Sequence, residues 1–164
     1  HMCRFFSGEI FHRWELTDCK YVLRIDTDSF ILDEIDDPFK AMERSGSVYG
    51  YRLIKEDHPT CYKDFYPTLR KSVEDMGFNW NFPSHEEGSV FYTNWELMRM
   101  DVFKSELYMG MYEAIDRSGG IYLHRWGDHL LRYAFYRQFN IKAMSFNFKY
   151  GHGEEVYEIG RAHV

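Results

Sequence analysis

Short apolar runs broken by turn residues alternate along this chain with stretches whose apolar positions recur every three or four residues, a pattern that predicts strands and helices in turn. Residues 3–16 set Phe5, Phe6, Ile10 and Phe11 on one side of a short helix, and "KYVLRI" (20–25) follows as a strand. Beyond two aspartates, "SFIL" (29–32) resumes the extended pattern. In "DPFKAMERSG" (37–46), Asp37 is a cap, Pro38 takes the first helical position and Gly46 stands past the end, so a short helix is expected. "SVYGYRLI" (47–54) reads as a second strand. Residues 55–84 contain Pro59, Pro67 and Pro83 and should be the most irregular region, with a helix from Pro67 to Met76. "SVFYTNWELMRM" (89–100) predicts one strand, after which Asp101 caps a long helix to Ser118 that Gly119 and Gly120 terminate. A further helix, "DHLLRYAFYRQF", follows Gly127, and "IKAMSF" (141–146) is a last strand. The alternation is α/β in character, with helices packing on a central sheet.

Composition narrows this picture. The 164 residues, 45% of them apolar, suffice for one domain with a proper core and are too few for two comfortable ones. A formal charge of -6 with singly scattered lysines and arginines argues against a nucleic-acid partner. Aromatic residues make up 19%, a share that fills cores and also lines sugar sites. Cys3, Cys19 and Cys61 have no metal-ligand spacing and allow at most one internal disulfide. No apolar run reaches membrane-spanning length, and the start of the chain lacks the regions of a signal peptide.

The two aspartates, Asp26 and Asp28 in "YVLRIDTDSFIL", interrupt an otherwise apolar run with like charges. If the strand persists, both carboxylates leave the sheet on one side; if it ends at Ile25, both sit in the turn at its carboxyl end. Either way negative charge collects at a strand terminus, where open α/β sheets place their ligands. Like charges this close need a cation or hydrogen-bond donors, and oxygen ligands suit magnesium, manganese or calcium. The pair is a candidate metal clamp, with a structural turn as the competing reading.

The strings "MCRFFSGEIF", "YVLRIDTD", "DPFKAME", "YTNWELMRMDVFKSE" and "IDRSGGIYLHRWGDH" stand in the order and spacing of the fungal-type α-1,2-mannosyltransferases, glycosyltransferase family 15, which the chain resembles from Met2 to about Tyr150. The resemblance implies a GT-A fold with a mixed central sheet flanked by helices. It also implies GDP-mannose as donor, a mannose-containing glycan as acceptor, Mn2+ (with Mg2+ as the substitute) as cofactor, and retention of anomeric configuration. The family's E-P-D triplet falls on Asp26-Thr27-Asp28, one arm shortened by a methylene, and its metal-binding histidine falls on His152 in "FKYGHGEE". Arg24 would support the phosphates or form an ion pair. Glu96 in "YTNWE" matches the acid near the anomeric carbon, either a nucleophile or a stabiliser of positive charge, with Tyr92 and Asn94 beside it as substrate-binding residues. Read without the family, Glu96 would sit on the exposed polar face of a strand. Asp128 matches the acceptor-holding aspartate, or caps the helix it opens, and Trp126 offers a flat surface for a sugar. The chain departs from the family at His124, where a Glu is usual, and at "HLLR" (129–132), where "APVH" is usual.

Two other classes stay open on these residues: a metal-dependent carbohydrate-binding module, and a transferase fold that has lost catalysis. By resemblance the parent protein is a type II membrane-anchored enzyme of the Golgi lumen, with the anchor outside this sequence. Residues 1–157 then form the C-terminal part of one catalytic domain, whose nucleotide-binding part would precede His1, and the fragment alone is expected to be inactive. The last seven residues, "EIGRAHV" (158–164), back-translate to a common sequencing-adapter oligonucleotide and are expected to be a non-native tail.

Overall fold

A computed structural model describes residues 2–153. The expected tail therefore lies outside the described residues. In chain order the elements are α1 (Met2–Ser7), β1 (Tyr21–Ile25), β2 (Ser29–Ile31), α2 (Pro38–Ser45), β3 (Tyr49–Tyr51), β4 (Ile54–Glu56) and α3 (Phe65–Asp75). They continue with β5 (Ser89–Phe91), β6 (Trp95–Arg99), α4 (Met100–Phe103), α5 (Glu106–Arg117), α6 (Gly120–Leu123), α7 (Asp128–Gln138), β7 (Ala143–Ser145) and β8 (Tyr150–His152). The central sheet runs β1-β6-β3-β7, with β6 antiparallel to both neighbours and β7 parallel to β3. Two ribbons, β2-β8 and β4-β5, stand apart from it.

The α/β reading holds, and its boundaries move for local reasons. The helix expected over 3–16 stops at Ser7, and two 3-10 turns follow at Glu9–His12 and Trp14–Leu16. Gly8 marks the break, because a Cβ there would lie 2.2 Å from the Tyr112 ring on α5. The strand expected over 89–100 is two strands: β5 pairs with β4, and β6 enters the central sheet after the turn at 92–94. Strand 47–54 divides likewise, β3 joining the sheet and β4 the ribbon. Asp101 does not cap a long helix; its carboxylate takes the Arg99 guanidinium and the Val102 amide, and Ser105 caps α5 through the Tyr108 amide. Gly119 ends that helix in a left-handed conformation while Gly120 opens α6. Asp37 caps α2 as expected, accepting from the Phe39 and Lys40 amides. Pro67 sits inside the first turn of α3 rather than at its start, where its missing N–H costs nothing.

Side chains alternate across β6. Trp95 and Leu97 point to a small cluster with Met42, while Met98 joins the main core with Leu69, Phe103, Tyr108, Leu130 and Phe135. Glu96 shares the side of Met98, so a carboxylate faces the helix layer of α5 and α7. Among the described residues no helix is long and apolar enough to cross a membrane. Cys3, Cys19 and Cys61 are free thiols.

Candidate active site

The site is built at the carboxyl end of β1. The strand ends at Ile25, so Asp26 and Asp28 occupy the turn that follows, closed by the Ser29 amide donating to the Asp26 carbonyl at 3.0 Å. Asp26 is tied back to the sheet by its own amide, which donates to the Asn94 carbonyl at 2.9 Å. The β2-β8 ribbon sets Ser29 opposite His152, which brings the imidazole beside the acids. Gly153, at φ +59°, turns the chain so that its amide reaches the Asp28 carbonyl at 2.9 Å. One ligand atom each from Asp26, Asp28 and His152 then lies within 4.8 Å of the others.

This group is not self-satisfied. His152 Nε2 meets both the Asn94 side-chain amide and, at 3.1 Å, Asp28 Oδ1. A neutral imidazole nitrogen that accepts from Asn94 has no proton left for Asp28. A cation shared by two carboxylates and the imidazole lone pair would satisfy all three, and oxygen donors with one imidazole suit manganese. The residues present therefore fit a divalent metal. Asn94 also donates to Asp26 Oδ2 at 3.0 Å, so its amide serves this group, and Tyr92 stands edge-on to the His152 ring with centroids 5.8 Å apart.

Behind the rim lies a second, closed set of charges. Arg24 stands directly opposite Glu96 across the β1-β6 ladder. Its guanidinium reaches Asp128 Oδ2 at 2.7 Å, Asp26 Oδ1 at 3.1 Å and Glu96 Oε1 at 3.3 Å, and lies 3.7 Å from the centroid of the Phe6 ring. The ion-pair reading of Arg24 is the one its geometry displays. Glu96 is 0% exposed, which corrects the expectation of an exposed polar face. Its Oε2 accepts from the Tyr49 hydroxyl at 2.8 Å and from Arg132 Nε at 3.3 Å. Burial pushes the Glu96 carboxyl above its ordinary value against the pull of Arg132 and Arg24. Burial also acts to raise Asp128, but Arg24 and then Arg132 more than offset it, and this carboxyl is held below the usual range. Gly127, not Asp128, is the N-cap of α7; Asp128 is its first helical residue, and its carboxylate pairs with Arg24.

Trp126 does not offer a sugar platform. It is 3% exposed, its indole N–H donates to the Lys63 carbonyl at 3.0 Å, and its ring packs edge-on against Phe65 and over Gly120. An apolar ring beside the site in sequence was drawn into the core, where Phe65 of α3 and Gly120 of α6 pack against it. Tyr49 was missed altogether, and Arg132 entered only as the last residue of the departing string "HLLR". The available signal for Arg132 was its i, i+4 spacing from Asp128 inside an apolar helix, which puts both on one face. Along the outer edge of β1, a cleft of about 730 Å³ is bordered by Phe6, Ile10 and Leu16 and by Arg24, Asp26 and Asp128.

A mixed sheet with a metal-competent acidic turn at the end of its edge strand and buried acids behind it has the architecture of the GT-A glycosyltransferases. The family profile described as "Glycolipid 2-alpha-mannosyltransferase" matches residues 1–149, and the chain belongs to that family, glycosyltransferase family 15. The probable mannosyltransferase KTR3 of Saccharomyces cerevisiae is 31% identical over 140 residues, an overlap of 78% of this chain and 35% of that protein. The O-glycoside alpha-1,2-mannosyltransferase homolog 2 of Schizosaccharomyces pombe is 28% identical over 139 residues, covering 77% and 37%. Core-mannan synthase A from Aspergillus fumigatus, solved in its Mn/GDP form, superposes with a TM-score of 0.84 at 25% identity over 92% of this chain and 47% of that one. The chain spans about a third of the length of the curated relatives it matches.

Proposed function

We propose that this chain is the site-bearing part of a retaining α-1,2-mannosyltransferase that moves mannose from GDP-mannose to a hydroxyl of a mannose-containing glycan. The observation that carries the reading is the convergence of Asp26, Asp28 and His152 within 4.8 Å in a chain of this family. These three residues would hold Mn2+. When bound, such a cation offsets the negative charge that develops on a departing diphosphate. Asn94 orients Asp26, and Tyr92 backs the imidazole. Glu96 supplies a fixed negative charge behind the cleft, suited to an oxocarbenium-like centre, and Arg24 couples it to Asp26 and Asp128. Asp128, kept ionised by the arginines, is the acid available to an acceptor hydroxyl. The relatives named above are fungal mannosyltransferases, and we place the parent protein in the Golgi lumen, held there by an anchor outside these residues.

The test is mannose transfer from labelled GDP-mannose by the full-length protein carrying this segment, with and without manganese. Transfer should require the metal, fall below detection in Asp26→Asn and His152→Ala, and drop by at least about 10²-fold in Glu96→Gln. Glycan binding with no turnover of GDP-mannose would instead mark a carbohydrate-binding module or a transferase fold without catalysis.

A further inference from the structure

Arg132 has entered so far only through its effect on Glu96 and Asp128, yet among the described residues it is the most buried charge on a helix. It is 2% exposed, one turn along α7 from Asp128. Its Nη2 donates to the Phe6 carbonyl at 2.7 Å and its Nη1 to the Ser7 carbonyl at 3.4 Å, with the Tyr108 hydroxyl as a further partner. These are the last carbonyls of α1, which lack partners inside that helix. The rings of Phe11, Phe103 and Tyr108 surround the guanidinium, their centroids 4.9, 5.0 and 5.3 Å from Cζ. Among the described residues, Glu96 is the one carboxylate it hydrogen-bonds.

A side chain needed only to fill this space would not carry a charge, because burying a guanidinium costs more than burying an aliphatic chain of the same volume. The charge is explained by the carboxylate it faces. Glu96 is gripped from two sides: Arg24 of β1 takes Oε1, while Arg132 of α7 and Tyr49 of β3 take Oε2. The two arginines differ in what else they hold. Arg24 is shared with Asp26 at the rim and with Asp128, so it feels whatever occupies the cleft. Arg132 is anchored on the Phe6 and Ser7 carbonyls and does not border the cleft. We propose that Arg132 is a positioning residue for Glu96, the fixed half of a two-arginine clamp that aims the carboxylate at Arg24 and the cleft. The proposal rests on the reading of Glu96 as the reaction's fixed charge. Besides Arg24, Tyr49 and Arg132, the ionisable groups that act on Glu96 are Asp128 of α7 and Tyr108 of α5. Against the burial that pushes its carboxyl up, Arg132 is the strongest opposing influence.

The experiment compares Arg132→Met, Arg132→Lys, Glu96→Gln and the Arg132→Met/Glu96→Gln double variant of the full-length protein. It reads kcat, KM for GDP-mannose, the pH profile and thermal unfolding. Arg132→Met should lower kcat by about 10²-fold with KM nearly unchanged, the cost expected of a misplaced group. Its acidic limb should move to higher pH, because Glu96 protonates more readily without its anchor. Arg132→Lys, which keeps the charge and loses the fork, should recover about tenfold. The double variant should be no slower than Glu96→Gln. A folded Arg132→Met with kcat and pH profile unmoved overturns the proposal; if that variant does not fold, the same result in Arg132→Lys does so. Glu96→Gln with full transfer would instead remove the reading of Glu96 itself. A separate measurement on the chain with carboxyl-13C glutamate keeps the two apart: the Glu96 signal, assigned by its loss in Glu96→Gln, should titrate at higher pH in Arg132→Lys than in the unaltered chain. Identical titrations would also overturn the clamp.

Discussion

Two sets of charges lie within a few residues of each other in this fold and are managed in opposite ways. Behind the sheet, Glu96 and Asp128 are enclosed, and each is matched by arginine: Arg24 reaches both, and Arg132 closes on Glu96 from the far side. At the rim, Asp28 is exposed, Asp26 and His152 are half-buried, and one imidazole nitrogen is shared between Asp28 and the Asn94 amide. The physical difference is access to water. A carboxylate in the core must carry its counter-charge in the covalent chain, because desolvation would otherwise neutralise it. A carboxylate at the rim can remain incomplete until an external cation arrives. The inner set is therefore a matter of stability and aim, and the outer set a matter of occupancy.

The sharpest way to break this contrast is to remove one charge from each. Glu96→Ala leaves two arginines without their shared carboxylate and should destabilise the chain by about 3–5 kcal/mol, whereas Asp28→Asn should change metal-free stability by no more than about 0.5 kcal/mol. Thermal or urea unfolding of the two variants checks this, and equal losses would erase the distinction. Occupancy gives the next largest effect. Manganese at about 100 times its dissociation constant should stabilise the chain by about 2.7 kcal/mol, seen as a rise in Tm that EDTA reverses. Asp28→Asn and His152→Ala should lose that rise, and Glu96→Gln should keep it.

The smallest effect concerns the hydrogen bond between His129 Nε2 and Asp57 Oδ2 at 3.0 Å, which ties the first turn of α7 to the segment after β4. The hydrogen bond from His129 holds the Asp57 carboxyl below its ordinary value against the upward push of burial. A lowered folded-state value means that this stability is present above the ordinary aspartate range, near pH 4, and is lost as pH falls through the lowered value. Asp57→Asn should therefore be less stable than the unaltered chain by up to about 1 kcal/mol at neutral pH. The difference should vanish in acid, which a series of urea midpoints from pH 7 to pH 2 would show.

Much of this organisation is written locally. The cap of α2 needs only Asp37, Pro38 and Gly46, all within one short stretch, and the structure uses each as chain chemistry dictates. The acidic pair at 26 and 28 is conspicuous because charge is costly in an apolar strand, and the pattern alone offered a metal clamp and a structural turn as competing readings. What local pattern could not decide was where long strands change partners. The run 89–100 looks continuous because its residues all favour extended backbone, yet the turn at 92–94 passes it from one sheet to another. That switch carries the Asn94 amide to Asp26 and His152.

The same division separates the site residues. Sequence by itself determined the α/β class, the acidic turn, the family and the candidate acids, because each is carried by residue type and short-range spacing. Tertiary structure alone decided that Trp126 is core and that Glu96 is wholly enclosed. It alone brought Arg132 from α7 and Tyr49 from β3 onto the same carboxylate oxygen. The reason is physical: burial and counter-charge are set by whatever packs from the other side, and residues 83 positions apart in the chain, such as Tyr49 and Arg132, carry no local trace of their meeting.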